Sequence, residues 1–165
     1  MPLLETLELI VKPWAKFYAK SSPTQAVVMF THIAGMLGGG GLAIAADRAM
    51  WKARTASDEV RSRLLAEVEL IHRPVIIGLG MSVLSGALMT AADLGEFATS
   101  PVWWVKMVFF GLLLANGAWL QSIERGALKA PATMPAAWKR LAMSSRFSYT
   151  LWFAVALGGV LLTIS

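Results

Sequence analysis

The sequence predicts an all-α fold: an integral membrane four-helix transmembrane bundle with an N-terminal interfacial helix. Hydrophobic residues make up 56% of the 165-residue chain and charged residues only 15%, whereas soluble domains average roughly 25% charged residues. The mean hydropathy is +0.60, and the apolar residues lie in long blocks rather than at amphipathic spacing. A chain of this length fits a single domain, residues 1–165.

Four apolar segments are long enough to cross a bilayer. They cover about residues 24–46, 74–92, 102–122 and 147–164. A helix needs roughly 17–25 residues to cross a hydrocarbon core of about 30 Å. Because a helix satisfies its own backbone hydrogen bonds in lipid, these segments are predicted to be four helices packed as a bundle.

The N-terminal segment, residues 3–20, is predicted to be an interfacial helix that is broken or kinked near Pro13. Its apolar part contains acidic residues, and its lysines follow that part, which is the reverse of a secretory signal peptide. One helix face collects its aliphatic side chains, which are Leu4, Leu7, Ile10 and Val11. Trp14 suits the headgroup region that follows.

The two longer connections each carry a helix signal. Ser57 followed by Asp58 and Glu59 is typical of a helix start, and the apolar stripe that follows either lies along the membrane or runs straight into the second span. Residues 130–135 are predicted to be a loop, with Pro135 as the first residue of a short basic helix.

Basic residues predict the orientation. The net charge is +5, and the clustering of Lys and Arg in two loops indicates topology and anionic lipid headgroups rather than nucleic acid. By the positive-inside rule these loops face the cytoplasm, which gives an N-out, C-out chain. The predicted partners are the lipid bilayer and either further copies of the chain or partner membrane subunits. The eleven basic residues are Arg48, Lys52, Arg54, Arg61, Arg63, Arg73, Arg125, Lys129, Lys139, Arg140 and Arg146.

Met29, His32 and Met36 form the principal candidate site. Their spacing places the three side chains on one face of the first span. An imidazole with thioethers is a plausible ligand set for Cu(I), and His and Met are also axial ligands of haem. In the alternative interpretation the methionines fill gaps in the packing, and His32 hydrogen-bonds to Ser82, Ser85 or Asn116.

Two further ionisable groups in or near the spans bear on this site. Lys106 lies about 6 Å inside the third span, where it either extends to the outer surface or binds an anion together with His32. Asp93 and Glu96 are alternative partners for it. His72 lies at the cytoplasmic end of the second span, too far from His32 for both to bind one haem within a protomer.

Small residues and missing motifs limit the function classes. Gly38–Gly41 and pairs such as Gly35 and Gly39 allow close helix packing or the approach of a flat ligand. No cysteine is present, which excludes disulfides, iron–sulfur clusters and covalent c-type haem. The pattern offers no nucleophile–base arrangement, phosphate loop or paired intramembrane carboxylates, so a hydrolase or phosphotransferase is disfavoured. A small transporter has little support for the same reason.

Several short motifs resemble those of known bacterial membrane proteins. They are His32 with Gly35 and the glycine block, Asp47-Arg48, Ser85 to Leu88, Pro101 to Lys106, Ala115 to Gly117, Trp138 to Arg140, and Leu151 to Phe153. Through these motifs the chain resembles small four-span proteins of unknown function. It is also distantly similar to the copper-resistance D family and the HemJ-type protoporphyrinogen oxidases. The resemblance implies a bacterial inner-membrane location. It also implies that His32 corresponds to a histidine near haem or copper, and Lys106 to a recurrent third-span lysine.

These observations predict a binding or electron-transfer module that holds haem b or copper near His32. Met29 or Met36 would supply a second ligand, and Lys106 would pair with a propionate or another anion. The alternative is a structural or accessory subunit of a larger membrane complex without a cofactor. No catalytic residues are assigned, and the chain by itself is not expected to be an enzyme.

Overall fold

The computed structural model describes residues 2–129 and 134–164, and these residues are almost entirely helical. Seven α-helices follow one another, with a π-helical turn between the second and third and a short 3₁₀ turn, Ala53–Thr55, after the third. The helices are α1 (Pro2–Lys20), α2 (Ser22–Gly35), α3 (Gly41–Lys52), α4 (Asp58–Ala92), α5 (Leu94–Thr99), α6 (Pro101–Lys129) and α7 (Met134–Leu161).

Three helical stretches are long and apolar enough to cross a membrane: Ser22–Thr55, Asp58–Ala92 and Pro101–Ala127. The first contains α2, the π-helical turn and α3; the others are α4 and most of α6. At 1.5 Å per residue the 35 residues of α4 extend about 52 Å, well beyond a core of about 30 Å. The fold is therefore compatible with a multi-pass membrane protein, and α4 is longer than such a hydrocarbon core is thick.

The start of α4 agrees with the sequence prediction. Ser57 caps the helix, with its hydroxyl accepting a hydrogen bond from the backbone N–H of Val60 at 3.5 Å. Of the two alternatives for the stripe after Ser57, the continuous one is confirmed, since α4 runs without a break from Asp58 to Ala92.

Of the two alternatives at Pro13, the break is wrong, because Pro13 lies inside the continuous helix α1. The prediction of a separate short basic helix near Trp138 was also wrong, because α7 runs unbroken from Met134 to Leu161. Pro135 is thus the second residue of a long helix and still lies in the first turn, where its missing N–H costs nothing. Residues 130–133 of the predicted loop lie outside the described residues.

The glycine block contains a feature that periodicity did not predict. Met36–Gly40 form a π-helical turn between α2 and α3. A π turn inserts one extra residue into a helix, and such turns are common at functional sites. It shifts the register between His32 and the residues that follow the glycines.

The close approach of backbones at these glycines is confirmed. A Cβ built on Gly35 would lie 2.6 Å from the carbonyl oxygen of Gly78, and a Cβ on Gly78 would lie 2.5 Å from the backbone nitrogen of Gly39. Gly40 instead faces the Trp152 ring, at 2.8 Å from a built Cβ, while Gly38 and Gly41 face open space. Within the block, Gly39 therefore allows close contact with α4, and Gly40 allows close contact with α7.

The helices pack in the order α4, α2 with α3, α7 and α6. The main contacts join α2 to α4, α3 to α7 and α6 to α7, whereas α4 and α6 touch only weakly. Helix α1 packs against α4, where Trp14 Nε1 donates to the carbonyl of Leu88 at 2.8 Å. A cleft of about 340 Å³ separates α4 from α6.

Two buried apolar clusters hold the bundle together. One includes Leu113, Leu151, Trp152 and Val155. The other lies towards the opposite end and comprises Met50, Leu65, Val68, Ala127, Trp138 and Leu141. Much of the remaining apolar surface faces outward, as expected for helices surrounded by lipid.

Candidate functional site

His32 projects from α2 towards α4 and is partly buried between them. Its Nδ1 lies 2.9 Å from the carbonyl oxygen of Ser82 and 3.2 Å from the hydroxyl of Ser85. The backbone oxygen can only accept, so Nδ1 carries the proton and donates to Ser82. Two of the three hydrogen-bond partners expected from the sequence, Ser82 and Ser85, are therefore confirmed.

The second nitrogen of the His32 ring has no hydrogen-bond partner among the described residues. With the proton held on Nδ1, Nε2 carries a free lone pair. Gly86 lies beside the ring, with a built Cβ only 3.3 Å from Cε1. A side chain at this position would press on the ring at Cε1 and at Nδ1, the nitrogen that donates to Ser82, so glycine allows the imidazole to lie close to α4.

The two methionines flank His32 on the same helix but in different environments. Met29 is 47% exposed, and Met36 is partly buried at the start of the π turn. Either methionine would hold a metal together with His32 through its thioether, a soft donor that suits Cu(I).

Lys106 of α6 reaches the same part of the bundle. Its side-chain stem packs against α7, where a Cβ built on Gly158 would lie 3.1 Å from Lys106 Cβ. Its ammonium is close enough to act electrostatically on His32. Neither Asp93 nor Glu96 forms an ion pair with it among the described residues.

In the described part of the chain, no group of three or more His, Cys, Asp or Glu side chains converges to hold a metal ion. This excludes from those residues a site built like a zinc or di-iron centre, which needs several such donors. A haem iron needs only one protein nitrogen, and methionine sulfur can complete a copper site. The available donors at His32 are therefore one imidazole nitrogen and two thioethers.

A second polar cluster was missed in the sequence. Asp47 of α3 and Glu124 of α6 are buried, with 3% and 4% of their surfaces exposed. His72 Nε2 lies 3.1 Å from Glu124 Oε2. The Ser148 hydroxyl lies close to the Asp47 carboxyl, and Glu124 acts on Asp47 through its charge. The sequence analysis assigned no role to these two buried carboxyls, which both lie just outside the predicted spans 24–46 and 102–122.

This cluster contains several unsatisfied atoms. Asp47 Oδ2, Glu124 Oε1, Ser145 Oγ and Trp138 Nε1 are buried without a hydrogen-bond partner. Asn116, in contrast, has a partner for each polar atom of its side chain, because its Nδ2 donates to the Ser144 carbonyl and its Oδ1 accepts from the Ser144 hydroxyl. Asn116 thus joins α6 to α7 instead of binding His32, the third partner that the sequence suggested.

The two polar sites lie at different heights in the bundle. His32 contacts Ser82, and His72 lies ten residues earlier on α4, which is about 15 Å along the helix. The prediction that the two histidines do not meet is thus consistent with their positions. Asp47 and Glu124 are 77 positions apart in the chain. Only information that links these two positions could have revealed the second site from the sequence.

Comparisons with family models, with curated proteins and with solved structures find no match to this chain. The resemblance to the copper-resistance D and HemJ-type families stays a prediction.

Proposed function

We propose that this protein is a membrane-embedded binding and electron-transfer module that holds a redox metal, as haem b or as copper, through Nε2 of His32. The observation that carries the proposal is the hydrogen bond from His32 Nδ1 to the Ser82 carbonyl. Metal-binding histidines characteristically donate their second N–H to a carbonyl or carboxylate, which orients the ring and makes the other nitrogen a better ligand.

The surroundings of His32 support this use. An ionisable side chain inside an apolar helix is costly and is usually retained for function. Gly86 allows the imidazole to pack closely against α4, and Lys106 provides a positive charge that acts on His32. In the haem form His32 would hold the iron, and the Lys106 ammonium would pair with a propionate. The bound metal would supply one-electron oxidation and reduction.

In the copper form Met36 and Met29 complete the ligand set on the same side of the metal. Met36 is the nearer to the bundle interior, because it is partly buried whereas Met29 is 47% exposed. Soft thioethers and a neutral imidazole favour Cu(I) over the harder divalent ions.

We further propose that α7 is the fourth transmembrane helix and that α1 lies at the membrane surface. Helix α7 packs along the length of α6 and α3, and its apolar part, 147–164, is long enough to span. Helix α1 holds the end of α4 through Trp14, and tryptophan prefers the headgroup region. The basic loops then face the cytoplasm of a bacterial inner membrane, with both termini outside. The bilayer and further membrane subunits, or copies of the chain, are its partners.

The experiment is an absorption spectrum of the purified protein, oxidised and then reduced with dithionite, together with its iron and copper content. We expect a Soret band that shifts on reduction, or copper bound in a constant ratio. His32→Ala should lose the cofactor, because the other histidine, His72, lies about 15 Å away along α4. The matched control is His72→Ala, which removes the other histidine and should keep it.

Retention of the cofactor by His32→Ala would refute the role of His32. A wild-type protein that binds neither haem nor copper after supply of both would refute the cofactor. That result favours the alternative, an accessory subunit without a cofactor, which co-purification with a larger complex in mild detergent would test.

A further inference from the structure

A pocket between the end of α3 and the start of α7 lies apart from the proposed His32 site. It has a volume of about 540 Å³ and opens to the surface. Trp51, which lines it, follows His32 by nineteen residues, which is about 28 Å of helix. The metal chemistry proposed above makes no use of this pocket. Its lining residues are Trp51, Arg54, Lys139, Ala142, Met143 and Arg146.

The lining of this pocket is positively charged. Arg54, Lys139 and Arg146 contribute three cations, and no acidic residue is among the described residues that line it. In the described part of the chain none of the three forms an ion pair, whereas Arg61 and Arg63 each pair with a carboxylate on α4. Like charges placed together repel one another. An anion bound among the three cations would remove that repulsion.

Trp51 brings the two arginines of the pocket together. The guanidinium carbons of Arg54 and Arg146 lie 5.6 Å and 5.2 Å from the centre of its ring, which is the range of cation–π contacts. One indole ring thus joins two cations that are 92 positions apart in the chain. A guanidinium group over a ring can still present its N–H donors to phosphate oxygens in pairs.

The turn that carries Arg54 is fixed in place by α4. Arg61 donates from Nε to the carbonyl of Ala53 at 3.3 Å and from Nη2 to the carbonyl of Arg54. The backbone on this side of the pocket is therefore positioned before a ligand arrives, and such preorganisation reduces the entropy that is lost on binding.

Apolar side chains beside the cations favour a lipid over a soluble anion. Met143 lines the pocket and is 59% exposed, and Phe147, four residues further along the same face of α7, is 48% exposed. Phe147 begins the apolar part of α7, and Trp51 lies near the end of the candidate span Ser22–Thr55. Tryptophan at such a position is typical of the level where headgroups meet acyl chains. An inorganic anion would leave both apolar side chains uncovered.

We propose that this pocket binds the phosphate group of an anionic phospholipid. Arg54 and Arg146 donate to the phosphate oxygens, and Lys139 adds a third positive charge. One acyl chain lies along Met143 and Phe147. Basic pockets between transmembrane helices bind anionic headgroups in this way. The bound lipid joins α3 to α7 at this end of the bundle.

The test is native mass spectrometry of the full chain, released from detergent micelles that contain dioleoyl phosphatidylglycerol or dioleoyl phosphatidylcholine. The fraction of protein that carries one lipid, followed over a lipid titration, gives each dissociation constant. We expect the wild type to bind phosphatidylglycerol more tightly than phosphatidylcholine. Arg54→Gln and Arg146→Gln should each weaken phosphatidylglycerol binding by about fivefold or more, because each removes one cation from the anionic group.

Arg140→Gln is the matched control. Arg140 is an exposed cation on the same helix that does not line the pocket, so this variant should keep the affinity of the wild type. An effect as large as that of Arg146→Gln would show that overall surface charge attracts the lipid, and it would overturn the proposal.

Glycerol 3-phosphate, which has the phosphate but no acyl chains, distinguishes a lipid from a soluble anion. It should compete weakly with phosphatidylglycerol. Competition as strong as that of a second phosphatidylglycerol would identify a site for a soluble phosphate compound instead.

The wild type alone can overturn the proposal, whether or not the variants fold. Equal affinities for phosphatidylglycerol and phosphatidylcholine would mean that the three cations do not select the headgroup. His32→Ala should bind phosphatidylglycerol as the wild type does, so this result is independent of the proposed cofactor.

Discussion

Replacing Gly78 by alanine tests the packing that positions His32. A Cβ at this position would lie 2.5 Å from the backbone nitrogen and 2.6 Å from the Cα of Gly39. The closest ordinary contact is 3.4 Å, so α2 and α4 must separate by about 0.9 Å. Both atoms belong to backbone, which has no alternative rotamer.

Separating α2 from α4 would lower the free energy of unfolding, because it breaks contacts between the two helices. The hydrogen bond from His32 Nδ1 to the Ser82 carbonyl, now 2.9 Å, would lengthen beyond the range of a hydrogen bond. Overpacking of a tight interface costs typically 1–3 kcal/mol. We therefore expect Gly78→Ala to lower the free energy of unfolding by about 1–3 kcal/mol.

Gly80 provides the matched control on the same helix. A Cβ at Gly80 meets nothing within 4 Å, and alanine favours a helix over glycine by up to about 1 kcal/mol. Gly80→Ala should therefore leave the stability unchanged or raise it. Unfolding in mixed micelles with increasing SDS, followed by circular dichroism, measures both variants. A Gly78→Ala protein as stable as Gly80→Ala would refute the close-packing argument.

Two other predictions concern interhelical hydrogen bonds. Asn116→Leu and Ser144→Ala should show a coupling energy of about 0.6–1.7 kcal/mol in a double-mutant cycle, because the two side chains bond across α6 and α7. Thr150→Ala, whose hydroxyl bonds within α7, should cost less, and additive effects of the first two variants would contradict the coupling. Trp14→Phe removes the bond to α4 and should speed hydrogen exchange of the α1 backbone. The exposed Phe17→Leu should not, and equal protection in both variants would show that the Trp14 bond does not anchor α1.

The local features of the fold could be predicted well. The apolar blocks, the Ser57 cap and the small residues at helical spacing act over one or two turns, so neighbouring residues are sufficient to infer them. The contact of His32 with Ser82 and Ser85 was also within reach, because the second span has few polar groups that a buried imidazole could meet. The π turn was not predicted, since glycine allows several helical geometries and packing chooses between them.

The Asp47–Glu124 pair shows where such prediction stops. Asp47 was interpreted as the end of a span and Glu124 received no role, because each is ordinary beside its own neighbours. The burial of both carboxyls depends on how the helices pack against one another, which their own neighbours in the sequence do not determine.

By itself, the sequence determined that the chain is helical, that its helices enter a membrane and that His32 is the exceptional polar group in the first span. These follow from composition and from the cost of placing backbone and charge in lipid. Tertiary structure alone decided which nitrogen of His32 is hydrogen-bonded and that the carboxyls of Asp47 and Glu124 are buried. Those outcomes depend on the relative rotation and spacing of whole helices. Side-chain packing determines both, and no local sequence pattern contains them.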